Sequence, residues 1–138
     1  MRNTKWFKKI LPAVVLGSLM FTAAAAEPPT IQKYEGISYV SGGIGAGELE
    51  ALESLSKQFN LRLMFALKNG EFIAYVPVTI QDQNGNTIFQ ATSQGPLMFV
   101  QLPSGTYLIK ATHKDQTLQE DVVIRDKKQR QVVFKWQP

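Results

Sequence analysis

The stretch "VTIQDQNGNTIFQATSQGPLMFVQLPSGTYLIKAT", residues 78–112, decides the fold class. Apolar residues alternate with polar ones on both sides of Asn84-Gly85, a pair that permits the positive φ angles of a tight hairpin. A second turn, "PSG", precedes "TYLIKATH", where Tyr107, Ile109 and Ala111 fall on one side. Short strands joined by turns at this spacing predict an antiparallel β-sandwich.

The same pattern extends in both directions from this stretch. "LRLMFAL" ends at the hairpin signal Asn69-Gly70, and Pro77 in "EFIAYVPVTIQD" indicates an edge strand or a bulge. "TLQEDVVIR" and "QVVFKW" bring the total to seven short strands, so we expect a β-sandwich domain over residues 61–138. The positions expected to face inward in the first two of these strands are Leu61, Leu63, Phe65, Leu67, Phe72, Ala74, Val76, Val78 and Ile80.

The spacing of apolar residues changes before the first of these strands, where it becomes that of a helix. Leu49, Leu52, Leu55 and Phe59 recur at spacings of three and four, which predicts an amphipathic helix over residues 48–60. Residues 27–47 read as an extended arm rich in Pro and Gly, in which "IQKYEGISYV" forms either a short strand or part of that arm.

The glycines of "SGGIGAGELE" raise the question of a phosphate-binding loop. Gly42 and Gly47 have the spacing of a Walker loop, but Glu48 stands where that loop carries lysine. A carboxylate repels phosphate, so the segment is interpreted as a flexible lead into the helix.

Residues 1–26 carry the pattern of a secretory signal peptide. A basic start precedes the apolar run "ILPAVVLGSLMF" and the small residues "TAAAA", which predict cleavage after Ala26 and a periplasmic product. An uncleaved anchor is the alternative. This leader holds four of the 15 basic residues and none of the 11 acidic ones. The remaining chain is balanced in charge, which argues against nucleic-acid binding and against a membrane role beyond export.

Few residues offer catalytic chemistry. The chain has no cysteine and one histidine, His113, so neither a Cys nucleophile nor a multi-His metal site can form, and no cofactor is expected. Glu48, Glu50 and Glu53 fall on the polar side of the helix rather than converging, and "DKKQR" at 126–130 reads as a solvated turn. We therefore expect a protein that is not an enzyme, with His113 at the end of a strand.

Three features carry a resemblance to a known family: the Asp82…Asn84-Gly85 turn, the Thr92…Gly95 step, and "LPSGTY" at 102–107. Residues 61–125 resemble the carboxypeptidase regulatory-like, or transthyretin-like (prealbumin-like), β-sandwich modules. The resemblance implies a mainly β fold, a seven-stranded antiparallel sandwich, here preceded by one short amphipathic helix. The whole chain also looks like small exported Gram-negative proteins that carry this module. Transthyretin-like hydrolases of purine breakdown use several histidines and a Tyr-Arg-Gly-Ser end, whereas this chain ends "FKWQP", so that activity is not implied.

Two predicted strands are apolar on both faces: "PLMFV" at 96–100 and "VVF" at 132–134, which Trp136 follows. They suggest an interaction patch at Leu97, Phe99, Phe134 and Trp136. Such strands are either covered by the helix or exposed to a partner. The leading hypothesis is a periplasmic, non-enzymatic binding or accessory module for protein partners in the cell envelope, with a free sheet edge as one docking route. The alternative is a carbohydrate- or peptidoglycan-binding module that uses Tyr75, Tyr107 or Trp136, and a hydrolase ranks third.

Overall fold

The computed structural model describes residues 29–138 except Ala46 and Asp126, and the predicted signal peptide lies outside the described residues. These residues form nine β-strands and one α-helix. In chain order the elements are β1 (Gln32–Tyr34), β2 (Ile37–Gly42), α1 (Glu48–Leu55), β3 (Leu61–Leu67), β4 (Pro77–Gln81), β5 (Thr87–Thr92), β6 (Leu97–Val100), β7 (Gly105–His113), β8 (Gln116–Ile124) and β9 (Arg130–Trp136). No helix among them is long and apolar enough to cross a membrane.

The strands make two sheets that share one hydrophobic core. The first has the order β1-β2-β6-β3-β9 and the second the order β5-β4-β7-β8. Alternate residues of both sheets point inward and pack together, which makes the fold β-sandwich-like and confirms that it is mainly β. The largest fully buried side chains of this core are Phe65, Phe89, Phe134 and Trp136.

The strand count is nine and not the predicted seven. The seven predicted strands correspond to β3 through β9, and the two additional strands arise from the segment predicted as an extended arm. Glu35 and Gly36 have φ angles of 45° and 88°, which is the left-handed backbone that a two-residue hairpin turn requires. The resulting hairpin joins the five-stranded sheet where Val40 pairs with Phe99.

The sequence predicts antiparallel sheets, but one pair of neighbouring strands is parallel. β9 runs parallel to β3, from Leu61 opposite Arg130 to Leu67 opposite Trp136. The reason is that β8 belongs to the four-stranded sheet and β9 to the five-stranded one, so these consecutive strands do not close a hairpin. The Gln129 side chain donates to the carbonyls of Ser56 and Phe59, which directs the chain into place beside β3.

Helix α1 is shorter than predicted, because a 3-10 turn replaces it at Ser56–Gln58. Leu52 is fully buried, but Leu49 is 46% exposed and does not belong to the apolar stripe. The helix covers the outer face of the five-stranded sheet. The second cluster formed there consists of Val40, Leu52, Phe59, Leu97 and Phe99.

The segment before β4 also differs from its prediction. Phe72 makes one isolated bridge to Ala66, and its side chain is 65% exposed rather than inward. Pro77 is the first residue of an internal strand, a position at which the missing N–H is tolerated, and the bulge of β4 lies between Ile80 and Gln81.

Candidate functional site

The predicted interaction patch is not exposed. Leu97 and Phe99 lie beneath helix α1 in the second cluster, whereas Phe134 and Trp136 lie in the core between the sheets. All four side chains are buried, since the inner core takes up one side of the five-stranded sheet and α1 the other. The structure thus corrects this hypothesis and supports its alternative, in which the helix covers the apolar strand β6.

Of the three aromatic residues considered for sugar stacking, only Tyr75 is accessible. The Tyr107 hydroxyl donates to the Pro103 carbonyl at 2.7 Å, and the ring is buried. This burial raises the pKa of the phenol, and the nearby negative charge of Asp82 raises it further. The Trp136 indole donates to the Gln116 carbonyl at 2.9 Å within the core. The Tyr75 side chain is 71% exposed.

His113 ends strand β7, as expected from the sequence. Its ring packs edge-on against Trp136, with 5.7 Å between ring centroids. Within the described part of the chain, no group of three His, Cys, Asp or Glu residues is arranged to hold a metal ion.

The glycine segment is held by hydrogen bonds to the carboxylate of Glu48. Gly47 caps the start of α1 with a φ of 82°, and the Glu48 carboxylate accepts from the amides of Gly43 and Ile44 at 3.2 and 2.7 Å. These amides are the donors that a bound anion would need, so the side chain of Glu48 occupies the place of a ligand phosphate. The predicted start of the helix is confirmed.

One surface with binding potential lies between β8 and β9, the outer strands at one side of the two sheets. Among the described residues, β8 pairs only with β7 and β9 only with β3. An open groove of 320 Å³ runs between them. Its apolar lining comes from Leu118, Val133 and Phe134, and its polar lining from Gln119, Glu120 and Lys135. We call this surface the β8/β9 groove.

A second surface is an open cleft of 440 Å³ beside the start of α1. Its lining residues are Ile44, Gly45, Glu48, Tyr75 and Gln94, and we call it the Tyr75 cleft. Three separate segments of the chain meet here, so no local sequence pattern could have predicted the cleft. The only signal available was the aromatic residue itself.

A third, smaller cavity of 240 Å³ is lined by basic residues between the end of β8 and the start of β9. Arg125, Lys128 and Arg130 line it together with Val123. The loop is fixed by the Arg130 amide, which donates to the Asn60 carbonyl at 2.9 Å.

These features define a mainly β domain of two sheets, with one helix closing an outer face and with two accessible surfaces of mixed polarity. The chain matches the family described as the Rhizobiales growth-associated tandem repeat domain over residues 58–134, and it belongs to that family. The match begins just before β3 and ends within β9, so the hairpin β1-β2 and α1 precede it. A search of curated proteins finds no match.

Proposed function

We propose that the protein is an exported, non-enzymatic binding module of the cell envelope, which holds an extended segment of a protein partner in the β8/β9 groove. The observation that carries this proposal is the groove itself, where two strand edges with backbone groups on their outer sides flank a lining of mixed polarity. A partner strand can pair with such an edge through main-chain hydrogen bonds, while pockets for alternate side chains supply specificity.

The charges at the groove favour a partner segment that carries both signs. Glu120 lies on the β8 side and Lys135 on the β9 side. In a symmetric pairing of two β8 strands about Glu120, like charges would face each other, which disfavours a dimer through this edge. The charge pattern therefore disfavours a symmetric β8–β8 dimer as the occupant.

The envelope location rests on the sequence pattern of a leader at residues 1–26. The family description links the domain to growth in Rhizobiales. We further propose that the two sheets form a transthyretin-like sandwich. The hydrogen bond from the Tyr107 hydroxyl to Pro103 supports this, because it anchors the "LPSGTY" turn that carries the resemblance.

The test places a photo-crosslinking residue at Val133, which lines the groove, and in parallel at Leu49 on the exposed side of α1. We expect Val133 to crosslink in cells to a defined envelope protein and Leu49 not to do so. The identified partner is then purified, and hydrogen exchange is measured on the complex. The amides of β8 and β9 should gain protection, while those of α1 should not change.

The variants Val133→Lys and Leu49→Lys form a matched pair, since both place a charge at an exposed apolar position. Val133→Lys should weaken binding of the purified partner by about tenfold or more, and Leu49→Lys should leave it unchanged. Equal crosslinking at both positions, or protection located away from β8 and β9, would contradict the proposal.

A further inference from the structure

We propose that the Tyr75 cleft is a carbohydrate-binding site, which takes pyranose rings of an envelope polysaccharide. This site lies away from the β8/β9 groove and shares no residue with it. The inference therefore goes beyond the proposed protein-binding function, and either can fail without the other.

The backbone of Tyr75 is held in a conformation that a non-glycine residue rarely adopts, with a φ of 59°. It is fixed from both sides. The amide of Ile73 donates to Phe65 at 3.2 Å, while Val76 exchanges two hydrogen bonds of 2.9 Å with the buried Ser93. Strain that the surrounding structure maintains is typical of functional sites. Here its effect is to hold a large aromatic ring out in solvent beside the cleft.

The exposed Tyr75 ring has the chemical groups needed to contact a sugar. A tyrosine offers an apolar face, onto which the C–H face of a pyranose can stack, and a hydroxyl that can exchange hydrogen bonds at the rim. Ile44, which is also exposed, extends the apolar part of the cleft.

Hydrogen bonds hold the carboxylate of Glu48 and the backbone of Gln94 at the cleft. Glu48 receives the amides of Gly43 and Ile44 on its Oε1 atom, and Oε2 is the second acceptor that the carboxylate can offer to a sugar hydroxyl. The backbone of Gln94 donates to the Ser41 hydroxyl at 2.9 Å. The side-chain amide of Gln94 adds both donor and acceptor groups. Because the Glu48 carboxylate is held before a ligand arrives, it loses little entropy on binding.

The chemistry of the lining also limits the class of ligand. Glu48 is the one carboxylate among the lining residues, and its charge disfavours a phosphate or another anion. Glycoside hydrolysis generally uses a pair of carboxyl groups, so the lining is suited to binding a sugar and not to cleaving it. The volume of 440 Å³ falls within the usual range for small-molecule sites.

The experiment titrates the folded protein, without its leader, with chitotetraose and with maltotetraose, and follows backbone amide shifts by NMR. We expect one of the two oligosaccharides to bind and to shift the amides of Ile44, Tyr75 and Gln94. Tyr75→Asn should weaken that binding by about tenfold or more, because the stacking surface is lost, whereas Tyr75→Phe should retain most of it.

Asparagine tolerates the left-handed backbone, so Tyr75→Asn should fold with unchanged circular dichroism and with a midpoint of thermal unfolding at least as high as that of the parent. Phe72→Ala is the matched control, because it removes an equally exposed aromatic residue outside the cleft and should bind as the parent does.

The proposal is overturned if neither oligosaccharide binds at millimolar concentration, or if Tyr75→Asn binds as tightly as the parent. Val133→Lys should bind the sugar normally, which separates this result from the test of the protein partner.

Discussion

The two sheets differ in how many of their faces are covered. In the five-stranded sheet, all four residues of β6 are buried, because the shared core lies on one side and α1 with its cluster lies on the other. In the four-stranded sheet, β8 buries only Val122 and Ile124, and most of its remaining residues are exposed. In β6, the apolar pattern on both faces was therefore a sign of the helix above it. The same kind of pattern in β9 had a different outcome, because Val133 stays accessible and lines the β8/β9 groove.

The largest effect is expected in the core that both sheets share. Trp136→Ala removes a buried ring that lies 6.1 Å from Phe134 and 6.5 Å from Phe65, and it should lower the free energy of unfolding by about 3–5 kcal/mol. Urea denaturation followed by circular dichroism measures the loss. Phe72→Ala, at an exposed ring, should remain within about 0.5 kcal/mol of the parent. Similar losses in the two variants would mean that Trp136 does not join the sheets.

The next effect tests whether α1 covers the outer face. Leu52→Ala opens a cavity against Leu97 and Phe99 and should lower the free energy of unfolding by about 2–3 kcal/mol. This is less than the loss in the central core, because a surface helix can move toward the sheet and partly fill the cavity. Leu49→Ala on the same helix is the control and should cost little, since its side chain is exposed. Thermal unfolding of both variants makes the comparison, and equal shifts would contradict a covering role for the helix.

A smaller effect is expected where the N-terminal hairpin meets the turn before β6. A Cβ atom at Gly95 would overlap the carbonyl group of Gly42, so the backbone must move to accept any side chain. Gly95→Ala should cost about 1–3 kcal/mol in urea unfolding. The neighbouring change Gln94→Ala serves as its control and should be close to neutral. A neutral Gly95→Ala would show that β2 is not held against this turn.

The smallest effect concerns the ion pair that joins α1 to β3. Both guanidinium nitrogens of Arg62 contact the Glu53 carboxylate, the second at 2.7 Å, and the hydrogen bonds to Arg62 hold the pKa of Glu53 below its ordinary value of 4.5. The pair therefore stabilises the fold above that pH, and its contribution is lost as pH falls through the lowered pKa of the folded state. Because Glu53 is partly exposed, solvent screening limits the contribution to about 1 kcal/mol or less.

The measurement is urea unfolding of the parent and of Glu53→Gln at pH 7 and near pH 3. The difference between the two proteins should shrink at the lower pH, because proton uptake by the Glu53 carboxylate then favours the unfolded state. A difference that does not depend on pH would indicate that packing of the side chain, rather than its charge, links the helix to the sheet.

The sequence predicted the seven strands from β3 onward because local signals were strong there. Alternation over residues 61–67 set the buried face of β3 through Leu61, Leu63 and Phe65, and the Asn84-Gly85 pair set the hairpin between β4 and β5. Asp82 strengthens that turn, since its carboxylate accepts from two amides of the loop. Tyr107, which was expected to point inward, does so.

Other features depended on contacts that no local pattern reveals. Glu35-Gly36 was a weaker turn signal than Asn-Gly, so the hairpin β1-β2 was predicted as an open arm. Leu49 matched the helical spacing, but the helix meets the sheet through Leu52, and one turn at its start remains in solvent. The Tyr75 cleft required Glu48, Tyr75 and Gln94 to come together from distant parts of the chain.

The parallel pairing of β9 with β3 has a consequence for biogenesis. The five-stranded sheet cannot be completed until its C-terminal strand has emerged, because Trp136 must pair beside Leu67. Contacts of such long sequence separation slow folding, so under the proposed export the chain would cross the membrane unfolded and would close its core only after β9 arrives. Trp6 and Trp136 are the two tryptophans of the chain, and the first lies in the proposed leader. In the processed protein, the fluorescence of Trp136 alone would then report that final closing step as it happens.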